Sequence, residues 1–226
     1  MGEPRKSRPA PPGPTASGAP GTLRAQVIEQ TPAVFITLVS VLIGLVLSDL
    51  VTEARSRMHL WPLDGLAIRT WGQILSNGIS ALSVWVVLAH LTVARRRAPH
   101  ILETVSGLGP PLILLTATSF IGRPEVWPWF YGASVYLAVS IVADTTQVRL
   151  TMDQPGGERF ARLAHPLGHL VICYLGSPAY LVAAILDQHG RLPAAFELAL
   201  VFAPLPTAAA LVWMFFRDWR RAIEEL

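Results

Sequence analysis

The chain has 226 residues, 52% of them hydrophobic and 15% charged, where soluble domains carry about 25% charged residues. Its charges gather in short clusters between long uncharged runs, which excludes a soluble core of this size and points to a membrane as solvent. The net charge of +3 comes from arginines that flank apolar runs. They form no basic face with interleaved aromatics, so nucleic acid is not an expected partner.

Residues 1–26 are rich in Pro, Gly, Ala and Ser and carry Arg5, Lys6, Arg8 and Arg24. Such a stretch lacks the apolar bulk to offset its ordering entropy and reads as a disordered basic tail. The apolar run behind it starts too late, and is too long, for an ordinary cleaved signal peptide. Lys6 stands where a myristoylation signal beginning at Gly2 needs Ser or Thr.

Six uncharged windows follow, at residues 30–48, 70–89, 104–122, 126–143, 163–186 and 198–216; the second extends through His90 to Ala94. About 20 apolar residues cross the hydrocarbon, and a helix satisfies its own backbone polar groups there. The side chains do not alternate as barrel strands require. The expected fold is all-α, an integral membrane protein of six transmembrane helices. It divides into the tail (1–26), a first three-helix half (27–122) and a second (123–226).

With the N-terminus cytoplasmic, 13 of the 18 basic residues fall inside, among them Arg95–Arg97, Arg149, Arg159, Arg162, Arg217, Arg220 and Arg221. Arg55, Arg57, Arg69, Arg123 and Arg191 fall outside. The positive-inside rule then places both termini in the cytoplasm of a multi-pass protein, in a bacterial-type plasma membrane. Trp61, Trp71, Trp127, Trp129 and Tyr131 fit an outer aromatic belt, and Trp213 and Trp219 an inner one.

Three spans per half turn the second half upside down relative to the first, the inverted repeat of many transporters. Glu103 and Glu197 stand 94 positions apart, as do Pro110 and Pro204; Asp49 and Asp144 are 95 apart, and Gly72-Gln73 and Gly168-His169 are 96 apart. Pro110 lies about nine residues into its span, roughly 14 Å deep, and Pro204 reaches a similar depth from the other face. Each removes a backbone donor and frees a carbonyl in hydrocarbon. Two broken helices lining a site compete with two plain kinks as the meaning.

The second span carries a polar stripe at helical spacing: Gln73, Ser76 with Asn77, Ser80, Ser83 and His90. It must face helices or water, as packing glue or as a wet path. Ser40, Gly44 and Ser48 in the first span form a small-xxx-small packing stripe. Glu103 and Glu197 occupy first turns, where the helix dipole favours an anion. Asp49 and Asp144 are expected buried charges at last turns, where it does not, with Arg55 and Arg149 the nearest partners in sequence.

His165, His169 and Cys173 follow at one-turn spacing and are weak candidates for a metal. The lone Cys173 reads better as a small core residue. No HExxH, GxSxG, Walker loop or CxxC occurs, and no Asn-Pro-Ala pair of the aquaporin kind. Neither an enzymatic role nor a cofactor is expected. The leading expectation is a transporter or channel for protons, cations or a small solute. Its path would use Gln73, Asn77, Ser80, Ser83, His90, Glu103, Pro110, Glu197 and Pro204. The alternative is a non-transporting membrane subunit that binds a protein partner or anchors an assembly; the expected partners are the lipid bilayer and a second copy or a membrane partner protein.

Overall fold

The computed structural model describes residues 20–57, 64–94, 101–152 and 167–224. They form α1 (Pro20–Ser56), α2 (Gly65–Ala94), α3 (Ile101–Thr118), α4 (Trp127–Met152), α5 (Leu167–Gln188), α6 (Ala194–Phe202) and α7 (Pro204–Glu224). The described residues contain no strand. Four helical stretches are long and apolar enough to cross a membrane: Ala33–Ser56, Gly65–Ala89, Val171–Gln188 and Ala194–Met214, the last taking in α6 and the start of α7. The apolar stretch of α3, Thr104–Thr118, is shorter. The N-terminal half of α4 is diluted by Trp, Tyr and Ser.

α1 begins at Pro20, inside the tail expected to be disordered through residue 26. Proline suits a first helical position, where its missing N–H would have had no partner. The expected tail residues 1–19 lie outside the described residues, as do Trp61, Arg95–Arg97, Arg159, Arg162 and His165. α1 also runs past the expected end at Ser48, because residues 49–56 hold neither Gly nor Pro and Glu53 pairs with Arg57 one turn on, at 3.4 Å.

Phe35, Val39, Ile43, Val46 and Leu50 fall on one stripe of α1 and are buried. Val34, Leu38, Val41 and Leu45 cover the opposite face and are exposed. Similar exposed apolar residues, Val171, Leu175, Val182 and Ile185, coat α5. That much uncovered apolar surface suits lipid rather than water.

α1 packs on α2 and α3, α3 packs on α4, and α4 packs most extensively of all on α5. α2 reaches across to both α6 and α7, while α5 touches α7 only sparingly. The α4–α5 seam is closed by reciprocal bonds: Ser134 Oγ donates to Ser177 O at 2.8 Å, and Ser177 Oγ to Ser134 O at 3.1 Å. Small residues allow this approach, since a Cβ on Gly176 would meet Leu137 at 2.8 Å. The tight turn after α3 needs Gly122 at φ +67°. Its N–H donates to Gln73 Oε1 at 3.0 Å.

Candidate functional site

The break between α6 and α7 is where the site begins. Pro204 has no N–H for the carbonyl of Leu200, four residues back, and that carbonyl instead accepts from Tyr180 Oη on α5 at 2.8 Å. The next carbonyl, Val201, accepts from Ser76 Oγ on α2. Ala203 keeps right-handed helical angles, so the chain bends and continues rather than reversing. Thr207 closes the first turn of α7, its Oγ1 donating to Ala203 O and Pro204 O, each at 3.0 Å.

Beside this break lies a cavity of about 340 Å³, within the range of small-molecule sites. α2 contributes Ser76, Asn77, Ser80 and Ser83, and α7 contributes Pro204 and Thr207. Trp129, Tyr136 and Leu137 of α4 face Cys173, Gly176 and Tyr180 of α5. Most of the wall is apolar, and no described lining residue is Asp, Glu, Lys or Arg. Trp129 stacks edge-on to Tyr180, with centroids 6.2 Å apart, and Phe130 lies 6.0 Å from the same ring. This cluster fixes the tyrosine whose hydroxyl holds the broken helix.

The polar stripe of α2 thus divides by position. Gln73, 1% exposed, tethers the α3–α4 turn and is not in the cavity wall. Ser76 holds α6. Asn77, Ser80 and Ser83 line the cavity. His90 lies on α2 and Glu103 on α3, with side chains outside the described ones.

Pro110 and Pro111 are buried in a helix that runs unbroken from Ile101 to Thr118, and Pro110 does not reach the cavity. α3 and the α6–α7 pair share no substantial packing, because α2 stands between them. They face each other only across the cavity, through Leu114 and Ala117 on one side and Ala203 and Pro204 on the other.

Glu197 is in the first turn of α6, as expected for a helix-capping anion, and is held by Arg69 at 3.0 Å. Arg69 also donates to the carbonyls of Arg123 and Pro124, at 3.2 and 3.0 Å. One guanidinium therefore ties the start of α2, the α3–α4 link and the start of α6. Both partners of the ion pair are mostly buried, with side chains 15% and 14% exposed.

Asp49, expected as a buried charge, is exposed, because it falls off the buried stripe of α1. Asp144 is buried, at 6% exposure. Ser40, Gly44 and Ser48 are exposed, and nothing stands within 4 Å of a Cβ placed on Gly44. Ser40 Oγ accepts from Trp85 Nε1 at 3.0 Å.

Among the described residues no three His, Cys, Asp or Glu side chains cluster to hold a metal. Of the weak triad, His165 and the side chain of His169 lie outside the described ones, and Cys173 is buried in the cavity wall. Sequence reasoning missed Tyr180, and it expected Trp129 in an outer aromatic belt, whereas that side chain is 2% exposed and lines the cavity. The signal was present for Tyr180: a hydroxyl deep in an apolar run needs an acceptor, and a proline in another span supplies one.

These features define an all-helical protein, with helices long and apolar enough to cross a membrane, that holds a cavity without described charged groups beside a broken helix. No family model matches the chain, and neither does any curated protein or solved structure.

Proposed function

We propose that the chain is a six-span membrane protein, both termini cytoplasmic, that carries a small uncharged molecule through the cavity beside the α6–α7 break. The supporting observation is the cavity itself: ligand-sized, polar along α2, apolar elsewhere, and free of described charged groups in its wall. A proton or cation path needs an ionisable or carbonyl ladder. Here Glu197 is neutralised by Arg69 away from the cavity, and the carbonyls of Leu200 and Val201 are already bonded. An uncharged cargo fits that wall better.

The six-span reading takes α3 and α4 as spans beside the four longer apolar stretches. α3 has 18 residues and is therefore about 27 Å long, close to the hydrocarbon thickness. It packs between α1 and α4. Maleimide labelling of single cysteines placed at Arg96, Arg159, Arg57 and Arg191 in a Cys173→Ser background tests the topology. The first two should react from the cytoplasmic side and the last two from outside; any other split sinks it.

For the cargo, the purified chain in nanodiscs is screened by thermal unfolding against uncharged, cationic and anionic small molecules. A ligand of the native state raises the midpoint. The reading expects shifts from uncharged compounds alone, lost in Ser80→Trp, which fills the cavity. A scoring compound should then equilibrate into proteoliposomes faster than into empty vesicles. Binding without movement would leave a receptor and end the carrier reading.

A second reading has one observation in its favour. The exposed Ser40-Gly44-Ser48 stripe leaves open space for a close helix neighbour, as a subunit docking a partner along α1 requires. Disulfide trapping through Gly44→Cys would show a second copy there.

A further inference from the structure

We propose that the ligand of this cavity is a lipid-soluble, uncharged molecule bearing an acceptor oxygen, admitted from the bilayer between α5 and α7. The inference rests on the carrier reading for the cavity and adds to it the class of cargo and its route.

The route follows from how the walls close. α2, α3 and α4 pack on neighbours along the cavity, and α4 is sealed to α5. α5 and α7 meet only sparingly. The α5 residues at the cavity rim on that side, Val171, Leu175 and Ala179, are exposed, Leu175 at 68%. Ala179 is 12 positions beyond the start of α5 at Leu167, about 18 Å along the helix. The gap therefore lies at hydrocarbon depth and is bordered by apolar side chains. A molecule using it must already be dissolved in lipid, and a charged one is disfavoured there.

The class follows from an accounting of donors. Of the six hydroxyl side chains in the cavity wall, which include Ser80 and Tyr136, four donate to backbone carbonyls: Ser76 to Val201, Ser83 to Ile79, Tyr180 to Leu200 and Thr207 to Ala203. Two N–H groups from the same wall have no acceptor, Asn77 Nδ2 and Trp129 Nε1. Asn77 is 4% exposed and Trp129 is 2% exposed. Buried donors left unmet are costly. These two N–H groups lack an acceptor, and a ligand carbonyl or ether oxygen supplies one. An alkane supplies none, and an ammonium brings only more donors and a charge.

The test uses the full chain in lipid nanodiscs with a diazirine-bearing 2-dodecanone as photoprobe. Labelled sites are mapped by mass spectrometry, with 2-dodecanone, n-dodecane and dodecylammonium as competitors. Labelling is expected on the α4, α5 and α7 walls. 2-Dodecanone should compete about tenfold better than n-dodecane, the weight of roughly one buried hydrogen bond. Asn77→Leu should narrow that preference to about twofold. Trp129→Phe, which keeps the ring packing and removes only the N–H, should narrow it as well, so the inference stays testable if the first variant misfolds. Ala179→Trp, at the exposed rim, should abolish labelling.

Equal competition by n-dodecane, or stronger competition by dodecylammonium, overturns the class while leaving a ligand cavity. Labelling that survives Ala179→Trp but vanishes in Ser80→Trp overturns the route. An absence of labelling in the cavity by any probe overturns this inference and the carrier reading together.

Discussion

The first three helices close on one another, and the last trio does not. α1 packs against both α2 and α3, and α2 against α3. In the second half α4 packs on α5, but the α1–α3 contact has no comparable counterpart between α4 and α6–α7, and α5 barely touches α7. The cavity occupies the space that contact would have filled. The same contrast holds for the prolines: Pro110 sits in a continuous, buried helix, whereas Pro204 ends one helix and starts another at the cavity wall.

Apolar faces gain little by meeting one another when the alternative is lipid. The first trio closes because small groups allow close approach: the ring of Phe35 comes within 3.0 Å of a Cβ built on Gly107. The broken helix is held by a few polar and close contacts instead. Arg69–Glu197, Ser76–Val201 and Tyr180–Leu200 fasten it, together with the seat of α6 on Gly72.

That contrast can be broken at its pins. The largest effect is expected at Gly72, where a Cβ would meet Val201 at 2.6 Å and Phe202 at 2.9 Å. Gly72→Leu should lift α6 off α2 and cost about 3 kcal/mol in denaturant titration of the reconstituted protein. Gly44→Ala, with nothing within 4 Å, should stabilise α1 by up to about 1 kcal/mol. Equal losses at both glycines would mean that the face of α1 around Gly44 is packed as closely as the α2–α6 contact at Gly72.

Glu197→Gln comes next. It leaves Arg69 mostly buried with its two carbonyl bonds but no counter-ion, a loss on the order of 2 kcal/mol. Hydrogen exchange should then rise at the start of α6 and in the α3–α4 turn, while α1 stays protected. Exchange confined to α6 would deny Arg69 its role as a three-way tie.

Tyr180→Phe removes the donor that meets the carbonyl Pro204 frees, at a cost near 1 kcal/mol. In a Pro204→Ala background the restored N–H can take that carbonyl, and the cost should fall by half or more. Additive losses in this double-mutant cycle would show that tyrosine and proline do not act on the same group. The smallest change is expected for Ser134→Ala, about 0.6 kcal/mol, since the α4–α5 seam has much packing besides.

Helical character and the membrane as solvent were legible in the chain, because both follow from local composition and from the length of apolar runs. The polar stripe of α2 and the proline at 204 were legible as violations of the membrane's rules. So was Glu197 as a first-turn anion. Which of them share a site was not. Gln73 and Asn77 are four residues apart on one stripe, yet one ties a turn and the other lines a cavity. Pro110 and Pro204 match in spacing and differ in outcome.

A rule violation in the sequence states that a polar group needs a partner, and this much the chain fixes alone through the chemistry of each residue. Which helix brings the partner depends on contacts between residues far apart in sequence: Tyr180 with Leu200, Ser76 with Val201, Arg69 with Glu197. Only the packed bundle could decide whether a freed carbonyl is answered by a hydroxyl, and where the space left over becomes a cavity.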